Sequence, residues 1–462
     1  MKDVIVIGGG PAGASCALKL AQYGFDVLLL DKTDEKRQHV GESLPSSIRV
    51  VLGALGIELP HDVVVSRPPS HLVFWGPMRG GRPWTDAAEP ESALLVWRGP
   101  FDRFLRERAA AGGVRFANGT AKRVSRSRGE VEVETTSGET LRARFVVDAS
   151  GRSGVVARSH RRREGGFRTL ALTGHFRTGE KSPPTIVEAF EDGWIWSAPL
   201  ADGLRDVTVM LEAGAVEADR NTLFASALER AVNVRSLLSG AVAEGAIRGI
   251  DATPYDATRF CGDDYLLVGD AASFLDPLSA HGVHKAMDGA LAAAVMARSI
   301  LERPDGIADA REFYDERERN IYGITTDRLR NLYRQETRFS TRPFWQKRSA
   351  GSVADPRPAA PRRPPLARDA ILRASPEVTV AEAPVLEGDF IERREVLVAP
   401  GQDRPVRYHG PVCLPDVYKD VVSSGNAYEV ASRSPFGFEP AFAAIDWLYR
   451  AGYLEECSAA EL

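Results

Sequence analysis

The order of apolar and polar residues predicts a strand–turn–helix–strand unit at the start of the chain. Residues 4–7 form an uninterrupted apolar run, as expected for a strand covered on both faces of a parallel sheet. A glycine-rich turn and a helical stretch through Tyr23 follow, and a second apolar run, residues 27–30, ends at Asp31. This order is typical of a doubly wound α/β fold.

The pattern changes further along the chain. A buried-strand pattern returns at residues 145–151 and 265–270, whereas Thr- and Val-rich alternation between about residues 170 and 255 predicts an antiparallel sheet. Residues 349–370 are rich in proline and arginine, which predicts a semi-extended linker. The tail beyond the linker has its own apolar content and a predicted amphipathic helix around residues 441–449.

Composition excludes several classes of protein. Of the 462 residues, 44% are hydrophobic and 26% are charged, which excludes a disordered chain, and a net charge of −4 gives no argument for a nucleic-acid partner. The four cysteines lack CxxC spacing, so we expect no zinc site and a cytoplasmic location. Asp288 and Arg298 interrupt the most apolar helix candidate, so we expect no membrane-spanning segment.

Residues 8–13, GGGPAG, fit the dinucleotide-binding pattern G-x-G-x-x-G. Glycines at these positions let backbone N–H groups approach a pyrophosphate at a helix N-terminus, and the acid after the second strand can bind a ribose. The alternative is a glycine turn that binds nothing, but the strand–helix context and the acid favour the binding site. The predicted cofactor contacts here are Gly8, Gly10, Pro11, Ala12, Gly13, Asp31 and Lys32.

A second motif makes the chain resemble the FAD-dependent monooxygenases of the hydroxybenzoate-hydroxylase type. Gly269-Asp270-Ala271-Ala272 follows a buried strand and precedes Asp276-Pro277 and residues 282–284. The resemblance implies FAD as the cofactor, with Asp270 on the ribityl chain and a helix N-terminus that stabilises negative charge on the reduced flavin. The further cofactor contacts that it implies are Arg98, Pro277, Gly282, Val283 and His284.

Two segments resemble flavin-dependent halogenases in particular. Residues 41–45, GESLP, resemble the GES-x-P loop, which adds Glu42 and Ser43 to the predicted cofactor site. Residues 193–200 are similar to the W-x-W-x-I-P signature, with Ala198 in place of isoleucine. The two indoles could equally lie on one core face of a strand. Together with Trp84, the predicted aromatic-rich substrate pocket contains Trp75, Arg79, Trp194 and Trp196.

The chain departs from the halogenases at the residues that the resemblance assigns to halogenation. The family places a lysine about thirty residues beyond GES, and here no lysine occurs between Lys36 and Lys122. Arg79 cannot substitute for it, because a guanidinium stays protonated and is a poor nucleophile. Ser279 and His281 stand where tryptophan halogenases have glutamate and threonine. A lysine distant in sequence, such as Lys285, could reach the pocket instead.

The resemblance therefore implies aromatic hydroxylation through a C4a-hydroperoxyflavin. Such chemistry takes O2 as co-substrate and electrons from NADH, NADPH or a separate flavin reductase. His281 is the candidate base, because imidazole titrates near neutrality, although it could equally be a histidine that packs at a helix start. His281 and His284 lack an evident third ligand, so we expect no metal site.

Several alternatives remain open for the substrate and the reaction. One group of halogenase-like monooxygenases without the lysine hydroxylates a tryptophan side chain of a partner polypeptide during tryptophylquinone biogenesis, as for quinohemoprotein amine dehydrogenase. The tail and the arginine-rich linker suit a docked macromolecule. The alternatives are hydroxylation of a small or carrier-tethered aromatic metabolite, halogenation, a geranylgeranyl-reductase-like activity suggested by the GES loop, and a flavin-binding module without catalysis.

The predicted fold class is α/β, or α+β overall. We expect a Rossmann-like FAD-binding domain into which an antiparallel-sheet substrate domain is inserted, followed by a small C-terminal domain. The predicted boundaries are 1–66, 98–168 and 256–348 for the FAD-binding domain, 67–97 and 169–255 for the substrate domain, 349–370 for the linker and 371–462 for the C-terminal domain.

Overall fold

The chain forms two compact units. The computed structural model describes residues 1–32, 41–61, 63–66, 71–76, 82–83, 94–127, 129–163, 166–179, 184–200, 203–214, 219–351, 363–400, 402 and 404–458. The first unit comprises Met1–Glu302 and Tyr314–Gly351, and the second comprises Arg303–Phe313 and Ser352–Leu462. Residues 352–362 of the predicted linker lie outside the described residues.

The first unit contains both strands and helices, with several runs of consecutive strands. Its strands are β1 (Lys2–Ile7), β2 (Val27–Asp31), β3 (Gly41–Leu44), β4 (Val64–Ser66), β5 (His71–Phe74), β6 (Arg82–Pro83), β7 (Leu94–Trp97), β8 (Arg115–Asn118), β9 (Ala121–Ser127), β10 (Glu130–Thr135), β11 (Thr140–Asp148), β12 (Arg161–Arg163), β13 (Thr169–Arg177), β14 (Thr185–Phe190), β15 (Gly193–Pro199), β16 (Leu204–Glu212), β17 (Val242–Asp251), β18 (Tyr255–Ala257) and β19 (Tyr265–Leu267). Its helices are α1 (Pro11–Gln22), α2 (Ile48–Ala54), α3 (Arg98–Ala111), α4 (Arg220–Arg230), α5 (Val232–Leu237), α6 (Gly282–Glu302), α7 (Ile307–Gln335) and α8 (Pro343–Ser349). The first residues of α7, 307–313, belong to the second unit.

The first sheet brings the predicted cofactor motifs to one edge. Its order is β8-β2-β1-β11-β10-β9, and β19 also pairs with β11. The pairings among β8, β2, β1, β11 and β19 are parallel, so their carboxyl ends meet at the same edge. Residues 4–7 of β1 are buried because neighbouring strands and helices cover both faces. The glycine turn, Asp31, Asp148 and the Gly269-Asp270 motif therefore share one edge, where α/β sheets bind ligands.

The second sheet has the order β17-β13-β16-β15-β14-β5-β6, and all its pairings are antiparallel except the parallel pairing of β14 with β5. Side chains alternate between its two faces. One face packs apolar residues such as Ile195, Val207 and Val209 against α4 and α5. The other face packs Trp75, Trp194 and Met210 against aromatic residues of α7 and α8.

The first unit also contains the small sheets β3-β7-β4 and β12-β18. In the second unit, the strands are β20 (Leu372–Ala374), β21 (Thr379–Glu387), β22 (Phe390–Val398), β23 (Tyr408–His409), β24 (Val412–Cys413) and β25 (Leu454–Glu456), and the helices are α9 (Leu414–Ser424), α10 (Ala427–Arg433) and α11 (Phe438–Arg450). The strands pair as β20-β25, β21-β22 and β23-β24. Leu372, Leu414 and Leu448 are fully buried in the core of this unit.

The predicted α/β class, with a parallel sheet joined to an antiparallel one, is confirmed. The boundaries that we assigned to individual domains stay predictions. Within the described residues, every helix is too short or too polar to cross a membrane.

Candidate functional site

Close packing explains two glycines of the turn after β1. Gly8 has φ +102°, and an ideal Cβ on it would lie 2.4 Å from the carbonyl oxygen of Ala149. A Cβ on Gly13 would lie 1.8 Å from the carbonyl oxygen of Gly8. Only glycine at both positions lets α1 approach the turn and the end of β11 this closely. Pro11 opens α1, where its fixed φ suits the first helical turn, and Ala12 is buried behind it.

Gly10 has a different environment, which fits a bound phosphate. Its backbone is extended, with φ −77° and ψ −173°, so packing and strain would both permit a side chain. An ideal Cβ on Gly10 would have no described atom within 4 Å. The N-terminus of α1 also has no capping side chain and no acid in its first turn among the described residues. Helix N–H groups without a capping side chain, beside open space at Gly10, suit the pyrophosphate of a dinucleotide such as FAD.

Asp31 at the end of β2 lies beside the glycine turn. A Cβ on Gly9 would lie 2.7 Å from the Asp31 carboxylate. Arg106 of α3 makes an ion pair with Asp31 at 3.7 Å and donates a hydrogen bond to the Gly9 carbonyl at 3.2 Å. Arg106 was not among the residues predicted from the sequence, although residues 98, 102 and 106 repeat at the spacing of one helix face. Lys32 follows Asp31 and is exposed.

The Gly269-Asp270 motif packs directly against the start of α1. Gly269 has φ +64°, and a Cβ on it would lie 2.8 Å from the Cβ of Ala12. Asp270 follows in a 3-10 turn, Gly269–Ala271, and the Tyr255 hydroxyl donates to the Asp270 carbonyl at 2.7 Å. Desolvation raises the pKa of Tyr255, so this hydroxyl stays a donor. The two motifs predicted to bind the cofactor are therefore adjacent in space.

Arg98 holds together the acidic groups of this edge. It opens α3 and pairs with Asp102 through two contacts, of 3.0 and 3.1 Å, and with Glu42 at 3.5 Å. Burial alone would lower the pKa of Arg98, but Asp102 and Glu42 more than offset this effect and raise it. Burial raises the pKa of Glu42, and the opposing influence of Arg98 does not cancel the rise. β3 pairs with β7, which places Glu42 and Ser43 beside the strand that leads into Arg98.

The segment before α6 is held in a defined conformation. The Asp276 side chain accepts a hydrogen bond from the Leu278 N–H at 2.9 Å and so caps the 3-10 turn Pro277–Ser279. Ala280 has φ +52°, a left-handed conformation that is costly for a residue with a Cβ. Among the described residues, Ala280 is the only non-glycine with positive φ. Strain of this kind clusters at functional sites.

The predicted residues at the start of α6 differ in exposure. His281 and Gly282 are exposed, Val283 is buried and His284 is half-buried. The His281 ring contacts the Ser279 carbonyl, and its centroid lies 6.2 Å from that of His284. The role of His281 as a base stays a prediction. In the described part of the chain, no group of three His, Cys, Asp or Glu residues could hold a metal ion.

Lys285 is hydrogen-bonded to the backbone of the segment that contains the Gly269-Asp270 loop. The residue is buried, and its ammonium group donates to the carbonyls of Gly269 at 3.1 Å and Ser273 at 2.7 Å. Burial lowers the pKa of Lys285, and Glu318 and Asp270 oppose this effect. The amine is thus engaged by two backbone carbonyls.

The predicted tryptophans lie in an aromatic core. Trp75 and Trp194 are 6% and 3% exposed, with ring centroids 6.5 Å apart, and Trp345 of α8 lies 5.0 Å from Trp75. Trp196 is half-buried and packs at the margin of this cluster. Lining of a substrate pocket by these indoles stays a prediction, and Arg79 and Trp84 lie outside the described residues.

A hydrogen-bonded chain connects this aromatic core to the turn before α6. The Trp194 indole N–H donates to the Tyr333 hydroxyl at 3.1 Å, and Tyr333 donates to the Asp276 carboxylate at 2.9 Å. Burial raises the pKa of both Asp276 and Tyr333. The contact of Tyr333 was not predicted from the sequence, because nothing local to residue 333 indicates it.

Two family matches cover much of the chain. Residues 83–360 match the tryptophan halogenase family, and residues 2–56 match the pyridine nucleotide-disulphide oxidoreductase family. The chain belongs to the tryptophan halogenase family. It is therefore related to the flavin-dependent halogenases, as predicted, and its glycine turn of residues 8–13 and its Gly269-Asp270 loop fit FAD.

Several characterised proteins are similar to this halogenase-family protein. A tryptophan 2-halogenase from Chondromyces crocatus is 32% identical over 337 residues, which cover 67% of this chain and 64% of the relative. This chain thus spans slightly less than two thirds of that relative's length. The structure of QhpG, a peptidyl tryptophan dihydroxylase essential for tryptophylquinone cofactor biogenesis, is 25% identical with a TM-score of 0.77, over 98% of this chain and 99% of QhpG. The myxobacterial chondrochloren halogenase CndH is 27% identical with a TM-score of 0.69, over 77% of this chain and 87% of CndH.

Proposed function

We propose that the protein is an FAD-dependent monooxygenase that hydroxylates an electron-rich aromatic ring. The observation that carries this proposal is the absence, from a halogenase-family chain, of the lysine that halogenation requires. The sequence has no lysine from residue 37 to residue 121. Lys285, the remaining candidate, has its amine bonded to the carbonyls of Gly269 and Ser273, which leaves it poorly available to capture an oxidised halide.

The residues of this chain would hold and shield the cofactor. Bound FAD, once reduced, supplies oxygen activation. The glycine turn and the α1 N-terminus would bind the pyrophosphate, and Asp31 and Asp270 would bind the sugar hydroxyls. The start of α6 would direct N–H groups at the flavin ring, where a helix N-terminus favours negative charge. The electrons would come from NADH, NADPH or a separate reductase.

We further propose that the substrate is a tryptophan side chain of a partner polypeptide, modified during quinone cofactor biogenesis. The likeness to the peptidyl tryptophan dihydroxylase supports this, because it extends over nearly the whole of both chains, including the second unit. A cytoplasmic location is part of the same proposal, and the four cysteines, which form no disulfide in the structure, suit a reducing compartment.

Halogenation is the second candidate, and the halogenases among the sequence relatives favour it. Hydroxylation of a small or carrier-tethered aromatic ring is an alternative within the monooxygenase class. These candidates differ in the atom added to the product and in whether a polypeptide is needed.

The test is an oxygenation assay on the full chain with FAD, O2, a reductant and excess chloride or bromide. We expect mass spectrometry of a coexpressed partner polypeptide to show the addition of oxygen atoms, independent of halide. Regioselective halogenation would overturn the proposed chemistry. Efficient turnover of free tryptophan or phenol without any polypeptide would overturn the proposed substrate and leave the chemistry intact.

A further inference from the structure

Strand register arranges the face of the second sheet that bears Trp194 into three rows. Residues paired across adjacent strands point to the same face, and successive residues of one strand alternate between faces. Starting from Trp194, the pairs Trp194–Met210 and Met210–Ala171 define an apolar row, which Ala189 continues on β14. This row lies against Tyr333, Phe344 and Trp345.

The two rows beyond it become progressively more polar. The middle row runs through Val73, Val187, Trp196, Thr208 and Thr173. The outer row begins with His71 and Thr185 on β5 and β14 and, two residues beyond Trp196 on β15, continues through Ala198, Asp206 and His175. The face is thus aromatic at one end and polar at the other.

Asp206 and His175 form a buried acid–base pair in the outer row. The Asp206 side chain is fully buried and the His175 side chain is 17% exposed, and His175 Nε2 lies 3.6 Å from Asp206 Oδ2. The other carboxylate oxygen of Asp206 accepts a hydrogen bond from the Thr208 hydroxyl at 3.0 Å, and that hydroxyl contacts the Thr173 hydroxyl at 2.9 Å. His175 Nε2 is buried and makes no hydrogen bond to a described residue.

Packing alone accounts poorly for this pair. Burying a carboxylate is costly, and well-packed apolar residues usually stabilise a fold as well as a buried ion pair does. Apolar side chains occupy most of the corresponding positions in the apolar row. The His175 ring nitrogen Nε2 faces the carboxylate at a distance too long for a hydrogen bond, so the pair contributes little to the sheet by hydrogen bonding.

The pair lies close to the predicted cofactor contacts. The Trp97 ring centroid lies 5.8 Å from that of His175, and Trp97 directly precedes Arg98, which opens α3. At the aromatic end of the same face, Trp194 connects through Tyr333 to Asp276, and Leu278 of the following turn packs against the cluster. Both ends of the face therefore contact segments that flank the predicted flavin site.

We infer that His175, which lies beside Asp206, accepts a hydrogen bond from the ring N–H or O–H of the aromatic substrate. The inference rests on the proposed function and specifies its substrate class as an aromatic ring with a hydrogen-bond donor. With its proton on Nε2, which faces the carboxylate 3.6 Å away, the imidazole has Nδ1 as its acceptor. The indole N–H and the phenol O–H both fit this requirement.

The test compares probes that differ only in the donor. Indole and 1-methylindole form one pair, and phenol and anisole form the other, each titrated into the FAD-bound full chain and followed by the change in flavin absorbance. In the pair that the wild type binds better, we expect it to bind the compound with the N–H or O–H group about tenfold or more tightly than the methylated compound. Preference within the indole pair, rather than the phenol pair, would agree with a tryptophan substrate.

Substitutions then assign the preference to this pair of residues. His175→Phe and Asp206→Asn should each bring the affinity ratio close to one, with retained FAD absorbance as the check that each variant folds. His71→Phe is the matched control, because it changes a histidine of the same row about 19 Å away, four strand spacings across the sheet, and should keep the ratio.

Each other outcome contradicts a defined part of the inference. A ratio that persists in both His175→Phe and Asp206→Asn would show that the methyl group is excluded sterically, and would overturn the role of His175. Equal affinity of the wild type for all four probes would also overturn the role of His175, but it would leave the proposed function intact. A wild type that binds none of the probes yet oxygenates the partner polypeptide would overturn the inferred recognition of the ring donor alone.

Discussion

Two regions of the molecule are built in opposite ways. One is the nucleotide cradle, the glycine turn of residues 8–13, and the other is the polar row, the outer row of the second sheet that contains His71, Asp206 and His175. At the cradle, the decisive feature is the absence of side chains: Gly8 and Gly13 allow two backbone segments to touch, and Gly10 leaves space beside helix N–H groups. In the polar row, the decisive features are side chains from different strands, such as His175 and Asp206, which register brings together.

This difference teaches how each region responds to change. Where two backbone segments are in contact, there is no space for a side chain, because an added carbon must displace the main chain. A site made of side chains on a finished sheet can lose one group and keep its fold, so its substitutions should change recognition more than stability. The predictions below test this contrast, from the largest expected effect to the smallest.

Gly13→Val should be the most damaging change at the cradle. Its Cβ would lie 1.8 Å from the Gly8 carbonyl oxygen, so α1 must move away from the sheet. We expect a loss of stability of about 4 kcal/mol or more and no retained FAD. Thermal unfolding and the flavin absorbance of the purified protein measure both effects.

Gly10→Ala is the matched control for that prediction. The backbone of Gly10 is extended and a Cβ would have open space, so the variant should fold like the wild type. It should nevertheless retain less FAD, because the added methyl group would occupy the space proposed for the pyrophosphate. Wild-type FAD affinity in Gly10→Ala would show that no phosphate lies against this position.

Lys285→Met should weaken the Gly269-Asp270 loop. The change leaves two buried carbonyls without their charged donor, which should cost about 2 kcal/mol of unfolding free energy and loosen FAD binding. Denaturant unfolding of the FAD-bound protein measures the cost. If the product of turnover also changed from a halogenated to an oxygenated one, the lysine would be the missing halogenating amine.

Tyr333→Phe should have a smaller effect, because it removes one hydroxyl between Trp194 and Asp276 and keeps the aromatic packing. We expect a loss of about 1 kcal/mol, since the buried Asp276 carboxylate loses one donor. Tyr322→Phe is the control on the same helix, because it makes the same change away from the Trp194–Asp276 chain. Equal losses in the two variants would mean that the connection contributes nothing specific.

The cradle and the loop that packs against it could be predicted from the sequence, because each is a short continuous segment. Residues 8–13 and 269–270 are short motifs whose glycines have local physical reasons, and the apolar runs beside them predict buried parallel strands. The α/β class and the antiparallel sheet also followed from periodicity. The ion pair of Arg106 with Asp31 was not predicted, because it joins distant segments and the i, i+4 spacing of α3 indicates only a helix face.

The polar row was beyond sequence reasoning for a physical reason. Its residues come from separate strands, and a shift of one residue in the register of any strand would turn that strand's side chain to the opposite face. His175 and Asp206 looked like isolated polar residues in an alternating pattern. We predicted the exposed His281 as a base because it stands in a family motif. No such motif marks His175.

The smallest expected effect concerns the other end of the polar row and depends on pH. Burial lowers the pKa of His71 below its ordinary value of 6.5. The unfolded chain therefore takes up a proton at this residue more readily than the folded one. The contribution of His71 to stability is fully present above pH 6.5 and is lost as pH falls from that value through the lower pKa of the folded protein. In His71→Phe, the unfolding free energy should fall less steeply between about pH 7.5 and about pH 5. Urea unfolding at several pH values measures the slope, and His61→Phe, a change at an exposed histidine, is the control that should keep the wild-type slope. A slope in His71→Phe equal to that of the wild type would mean that this end of the row is hydrated in solution, and the polar row would then be a buried feature only around Asp206.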